Sequence, residues 1–333
     1  MNLIFLSGIL VLIIAFFMLK KYLSKLNDMK KYREKVLFED ALKYMFDCEF
    51  KLSECTIDSL KETLLINEET ARQLIYKLEK LGLVTEQNNI VRLTDLGREN
   101  ALKIVRIHRL LERYLAEKTN IKETEWHRIA EEKEHEIDIE DANKISIELG
   151  NPLLDPHGDP IPNEKGNIHF RKQIFLDELD EGKYAQILHI EDEPDEIFSV
   201  INSHKIYPDM KLKIIKKFKD EIIIEVEGRE IKLSTEVAKN ISVKEIEESN
   251  YSKINVKPLS SLKTGEIAEV NYLSKALRGE QRRRLLDLGI VPGTKIKPVL
   301  ESIGKEPVAY EVRGTLIALR KNQAENIFVK EIK

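Results

Sequence analysis

TIDSLKETLLINEETARQLIYKLEKLGLVTEQNNIVRLT, residues 56–94, is the stretch on which the fold turns. Thr56 opens a short helix. A turn at Ile66-Asn67 separates it from a second helix, which starts at Glu68 and is ended by Gly82. Leu83-Val84-Thr85 and Ile90-Val91-Arg92-Leu93 flank an Asn88-Asn89 turn, as the two strands of a small hairpin would. Helix, turn, helix and hairpin in this order make a winged helix-turn-helix, a DNA-reading module. Glu34 to Asp47, just upstream, is expected to be a further helix with Val36, Leu37, Leu42, Met45 and Phe46 on its apolar stripe.

Further upstream the chain changes character. Residues 3–19, LIFLSGILVLIIAFFML, hold no charge. As a helix they would span about 26 Å, enough for a slightly thinned bilayer core. Lys20, Lys21, Lys25, Lys30, Lys31, Arg33 and Lys35 follow. That order places the basic side in the cytoplasm and differs from a cleaved leader, whose charge precedes its apolar run. Residues 1–19 are therefore expected to be a single-pass transmembrane anchor, residues 20–33 a basic juxtamembrane connector, and the bulk of the chain cytoplasmic.

Downstream, Thr94 can cap a long helix to about Lys118, with Leu102, Val105, Leu110, Leu111 and Leu115 available for packing or dimerisation. Helices from about Thr124 to Glu136 and from about Glu140 to Leu149 follow. A breaker-rich stretch from Gly150 to Pro162 closes this part. The remainder is a repeat. EVEGREIKLSTEVAKNISVKEI, from residue 225, parallels EVRGTLIALRKNQAENIFVKEI, from residue 311. Gly228 matches Gly314, Ala238 matches Ala324, Asn240 matches Asn326, and Leu179 and Gly182 match Leu262 and Gly265. Short alternating strands in two units of this size suit a pair of small β-barrels. The expected architecture is an α+β multidomain chain: anchor, connector, winged helix (34–94), helical domain (95–162), and barrels at 174–248 and 256–333.

Composition narrows the functional classes. The net charge of -4 excludes indiscriminate electrostatic binding to nucleic acid, so any DNA affinity must come from a local basic surface. Two cysteines, Cys48 and Cys55, supply neither a disulfide framework nor a four-thiolate site. No nucleophile–base pair, glycine-rich phosphate loop or zinc-hydrolase motif is present, so no enzyme is expected.

The informative helix is TEWHRIAEEKEHEI, residues 124–137. His127, Glu131, Glu134 and His135 recur at i, i+4, i+7 and i+8 on one helical face. The preceding helix offers His108 and Glu112 at i, i+4. Clustered carboxylates repel one another unless a positive charge sits among them. Mixed imidazole and carboxylate donors suit Mn2+ or Fe2+ better than a thiolate-preferring metal. Glutamates on helices also commonly just face water, and this stretch is rich in them throughout.

VRIHRLLERYL, the W-H-x-x-x-E-x-x-E-H helix and GNPLLDPHGDPIP, in that order, make residues 34–162 resemble the DNA-binding and dimerisation domains of the diphtheria-toxin-repressor family, which includes manganese transport regulators. Residues 174–333 resemble two FeoA-type SH3-like barrels, the second through PLSSLKTGE, RRRLLDLGIVPGT and YEVRG. The resemblance implies a homodimer. It implies a primary metal site at Asp40, Glu131, Glu134 and His135, with His108 also matching a ligand. It implies an ancillary site at His108, Glu112 and His127, and a barrel ligand near Glu191 or Asp192, with Asp192 the candidate. Glu131 stands where iron-sensing members have a cysteine, which inclines the site to Mn2+ without excluding Fe2+. Lys43 departs from the pattern, since manganese sensors place a carboxylate there.

Thr70, Gln73 and Asn67 match the family's DNA-contact positions, and Arg72, Lys77 and Arg92 are candidates for phosphate. Glu68 and Glu69 oppose DNA at that helix start, although they suit its dipole. Two functions are thus expected: a membrane-anchored, Mn2+- or Fe2+-dependent DNA-binding transcriptional regulator, or a metal-responsive membrane adaptor that contacts a metal transporter. Arg282-Arg283-Arg284 offers a lipid or partner contact to the second, but also reads as a solvated helix face.

Overall fold

The structure is a computed structural model that describes residues 2–168, 172–251, 256–302, 304 and 306–332, with side chains from residue 17 onward. The chain divides into two compact units, residues 1–108, 132–143 and 162–167 in one, and 109–131, 144–161 and 168–333 in the other.

The first unit begins with α1 (Asn2–Phe50). The anchor, the connector and the helix from Glu34, expected as three separate segments, run as one helix. The connector at 20–33 contains neither glycine nor proline and carries five Lys and two Leu, so nothing breaks the helix there. The expected anchor over residues 1–19, and the membrane location drawn from it, are corrected. Among the described residues, no helix is long and apolar enough to cross a membrane. Residues 1–16, where most of the expected span falls, lie outside those whose side chains are described. From Lys20 onward α1 carries a charge every few residues, and a hydrocarbon core would strip water from each.

α2 (Ile57–Thr63) and α3 (Glu68–Lys80) follow, then a hairpin of β1 (Val84–Gln87) and β2 (Ile90–Leu93). Thr56 and Ser59 form a reciprocal capping box on α2, and Asn67 Oδ1 accepts from Thr70 N at 2.8 Å to cap α3. Ala71, Leu74, Ile75 and Leu78 form the buried stripe of α3. They share a core with Ala41, Leu42 and Met45 of α1, Leu60 of α2, and Val84 and Val91 of the hairpin. Each large side chain so buried contributes about 1.5–3 kcal/mol. Asn88 and Asn89 both have positive φ (55° and 67°), and strand pairing runs from Val84 with Leu93 to Gln87 with Ile90.

α4 (Asp95–Lys118) starts at Thr94, whose hydroxyl accepts from Gly97 N at 3.1 Å. α5 (Trp126–Glu134) and α6 (Ile139–Glu148) come next. The division between the units falls within all three helices.

In the second unit the duplication is written into two sheets. The first holds β3 (Ile174–Phe175), β4 (Tyr184–Ile190), β5 (Lys211–Lys217), β6 (Glu221–Val226), β7 (Arg229–Ser234) and β8 (Ile241–Ile246), in the order β3-β8-β4-β5-β6-β7. α7 (Asp195–Ser203) lies between β4 and β5, and α8 (Thr235–Ala238) between β7 and β8. The second holds β9 (Val256–Pro258), β10 (Ala268–Leu273), β11 (Lys295–Glu301), β12 (Val308–Val312), β13 (Thr315–Leu319) and β14 (Ile327–Glu331), in the order β9-β14-β10-β11-β12-β13. Its α9 (Gly279–Asp287) and α10 (Lys321–Ala324) take the places of α7 and α8.

The matched residues do matched work. Gly182 N donates to Ile214 O at 2.9 Å and Gly265 N to Pro298 O at 2.8 Å. The Asn240 amide donates to Glu236 O at 2.9 Å and the Asn326 amide to Asn322 O at 2.7 Å. Ala238 and Ala324 are both buried. Each sheet closes on its own apolar core, one around Ile187, Leu212 and Ile224, the other around Val270, Ile296 and Ile327.

Candidate metal centres

One cluster lies in the first unit. α1 supplies Glu39, Asp40 and Lys43, α4 supplies His108, and Glu134 and His135 stand at the C-terminal end of α5. Asp40 Oδ1 is 3.0 Å from His135 Nε2, and Glu39 Oε2 is 2.8 Å from His135 Nδ1. Glu134, with no exposed surface, places Oε2 2.5 Å from His108 Nδ1 and Oε1 3.0 Å from Lys43 Nζ. Burial raises the pKa of the Glu134 carboxyl, but the His108 and Lys43 contacts outweigh it and hold the group below its ordinary value. Burial likewise opposes charge on His135, but Asp40 and Glu39 raise its pKa to about 9. Candidate ligand atoms of Asp40, Glu134 and His135 lie within 4.8 Å of one another.

A second cluster lies wholly in the second unit. Glu112 comes from α4, His127 and Glu131 from α5, and Asp192 and Glu193 follow β4. His127 Nδ1 stands 3.0 Å from Asp192 Oδ2 and 3.3 Å from Glu112 Oε1; its Nε2 is 3.6 Å from Glu131 and from Glu193. Burial lowers the His127 pKa, but Asp192, Glu112 and Glu131 outweigh it and raise it well above the imidazole range.

His157 joins this cluster, and the sequence did not single it out. It groups with Glu112 and Asp192, its Nε2 3.9 and 3.8 Å from their carboxylate oxygens. That nitrogen is buried and has no hydrogen-bond partner among the described residues. A buried imidazole nitrogen facing two carboxylates is what a divalent ion would satisfy. The loop is held in place by Asp155, whose Oδ1 accepts from the backbone N–H groups of His157, Gly158 and Asp159 at 2.8–2.9 Å. Gly158 has φ +103°, and a Cβ there would meet Leu188 O at 2.0 Å, so the loop lies directly on β4. His157 O in turn accepts from Ile190 N at 2.9 Å.

Both clusters offer imidazole and carboxylate without thiolate, a donor set that fits Mn2+ or Fe2+. Where bound, such an ion supplies the positive charge that these carboxylates share.

The candidate DNA residues are on or beside α3, apart from Arg92 on β2. Asn67 is occupied as the α3 cap. Arg72 Nε and Nη2 donate to Glu68 at 3.0 and 2.9 Å, Gln73 donates to Glu69 at 2.6 Å, and Lys77 to Glu34 at 2.5 Å. Thr70 is half-buried, and Arg92 is exposed.

Residues 94–163 match the family model of the iron dependent repressor, metal binding and dimerisation domain, and residues 174–245 and 257–331 match that of the FeoA domain. These matches define a class: the chain is similar to the diphtheria-toxin-repressor type of metal-dependent repressor, with two FeoA domains behind its metal-binding domain. Among solved structures, a manganese-dependent transcriptional repressor in complex with manganese is 29% identical, aligned over 62% of this chain and 99% of that one with a TM-score of 0.58. IdeR of T. acidophilum is 26% identical over 62% of this chain and 97% of its own, with a TM-score of 0.53. The manganese regulator SloR, 21% identical over 63% and 98%, shares the fold with a TM-score of 0.52. No curated protein matches the chain.

Proposed function

We propose that this protein is a Mn2+- or Fe2+-dependent DNA-binding transcriptional repressor that works as a homodimer. The observation that carries the proposal is the 3.0 Å approach of Asp40 to His135. Asp40 belongs to the helix packed under α2, α3 and the hairpin; His135 belongs to the matched repressor-type domain. An ion held by both would fix the orientation of the helix–turn–helix, so occupancy would set DNA affinity. The domain reading supports this: residues 34–94 as the winged-helix DNA-binding domain, 95–162 as the metal-binding and dimerisation domain, and 174–248 and 256–333 as SH3-like barrels.

In this reading Asp40, Glu134 and His135, beside His108, form the regulatory centre, while Glu131, expected there, stands beside His127 instead. Glu112, His127 and Asp192, joined by His157, form the second. Thr70, Gln73, Arg72, Lys77 and Arg92 face DNA. The other expectation, an adaptor acting on a transporter at a membrane, has no match behind it, whereas the 29% identical structure is named as a manganese-dependent transcriptional repressor.

A mobility-shift titration on the DNA upstream of the protein's own coding sequence tests the proposal. Mn2+ should tighten binding at least tenfold, on the order of 1.4 kcal/mol of coupling. The double variant Glu134→Ala/His135→Ala should lose that gain. Equal affinity in Mn2+ and in chelator would sink the repressor reading.

A further inference from the structure

The cluster in the first unit has two halves joined by one carboxylate. Glu134 turns Oε1 toward His135 Nε2 at 3.8 Å and Oε2 toward His108 Nδ1 at 2.5 Å. In the His135 half, Asp40 and Glu39 stand at the two ring nitrogens. Lys35 is nearby, but its ammonium donates to the backbone carbonyl of His135 at 2.8 Å.

The His108 half is different. Lys43 Nζ lies 3.0 and 3.1 Å from the two Glu134 oxygens and 3.3 Å from His108 Nδ1. The ammonium thus touches the atoms that a divalent ion in this half would ligate. The arrangement is enclosed: the Glu134 side chain is 0% exposed and that of Lys43 15%. Asp40 and Lys43 are three residues apart on α1, so one face of that helix delivers a carboxylate to one half and an ammonium to the other.

We propose that Lys43 is a built-in cation that fills the His108 half, so that this centre takes one divalent ion, through Asp40, Glu134 and His135, rather than two. The inference rests on reading the cluster as a metal centre. An ammonium neutralises Glu134 in the absence of metal, which a carboxylate this buried requires. It carries no lone pair, so it cannot serve as a ligand to an incoming ion. It also repels the ion in the neighbouring half across a short, partly desolvated gap.

The experiment uses the full-length chain as wild type, Lys43→Glu, Lys43→Gln and His135→Ala. Bound Mn2+ is counted by equilibrium dialysis, and the bound ions are examined by electron paramagnetic resonance. Lys43→Glu should take up one more Mn2+ per chain than wild type and show a spin-coupled Mn–Mn pair that wild type lacks. Lys43→Gln keeps a hydrogen-bond donor for Glu134 but removes the charge. It should bind Mn2+ at this centre roughly tenfold or more tighter than wild type, and it decides the matter if Lys43→Glu does not fold. An unchanged Mn2+ count in folded Lys43→Glu, or unchanged or weaker affinity in Lys43→Gln, overturns the proposal. His135→Ala keeps the two levels apart. If it removes no Mn2+, the cluster is not a metal centre and the functional reading itself fails; if it removes one ion while Lys43→Glu gains none, only the role of Lys43 is wrong.

Discussion

Single residues in this chain owe their behaviour to neighbours that are distant in sequence. His189, 15% exposed, has Nε2 3.3 Å from Asp159 Oδ2. Burial opposes its charge, but the Asp159 carboxylate raises its pKa to about 9. Its ordinary value, about 6.5, applies in the unfolded chain. A histidine whose pKa is higher when folded contributes stability that is complete below the unfolded value and is lost as pH rises through the folded one. In urea melts in chelator, wild type should exceed His189→Gln in stability at the acid end, and that difference should shrink by up to roughly 3 kcal/mol between about pH 6.5 and 9. The raised pKa values of His135 and His127 give both proteins a further loss over the same window, which cancels in the comparison. Equal pH slopes for the two proteins would mean that the His189–Asp159 pair is not formed. His157 teaches the same point about legibility. Helical spacing draws attention to Glu112, His127, Glu134 and His135, but His157 lies in a loop, and its approach to Glu112 and Asp192 depends on the Asp155 turn and on contact with β4.

Elements were easiest to read where a local signal marks an end. Thr94, Asn67 and the Asn88-Asn89 pair carry their own capping and turn chemistry, and the structure uses each of them that way. The length of α1 was harder. Hydropathy divides residues 1–50 into three pieces, whereas helix propensity, with no breaker in the connector, runs them together. The repeat revealed two similar units, yet strand order was not legible, because setting β8 between β3 and β4 is a tertiary choice. The joint between hairpin and α4 gives an element-scale prediction. Thr94 N donates to Leu83 O at 3.0 Å, and its hydroxyl donates to Gly82 O at 2.6 Å. Gly97 sits so close that a Cβ would lie 1.9 Å from Leu83 O, a backbone atom with no freedom to turn aside. Gly97→Ala should push α4 off the hairpin and destabilise the protein by about 2–3 kcal/mol, in the upper range for overpacking. Thermal denaturation checks this, and an unchanged midpoint would mean that the joint is looser than described.

At the scale of the whole molecule, under the proposed function a chain of net charge -4 would have to bind DNA through a few local cations. Arg72, Lys77 and Arg92 are the candidates on each protomer. Arg72 and Lys77 already pair with Glu68 and Glu34, but exposed pairs of this kind are worth only about 0–1 kcal/mol, so phosphate can take the cations over. In the proposed dimer, three contacts from each half would release counterions from about six phosphates, so the slope of log K against log salt should lie near -5. Fluorescence anisotropy with operator DNA in Mn2+ measures that slope over about 50–200 mM salt. Arg92→Ala removes two of the six contacts, one per protomer, and should make the slope shallower by about 2 while weakening specific and nonspecific DNA alike. If Arg92→Ala left the slope unchanged, the hairpin would not touch phosphate, and DNA would have to be engaged by α3 alone. If the wild-type slope were close to zero, neither element would meet the backbone, and the winged-helix reading of DNA would have to be abandoned.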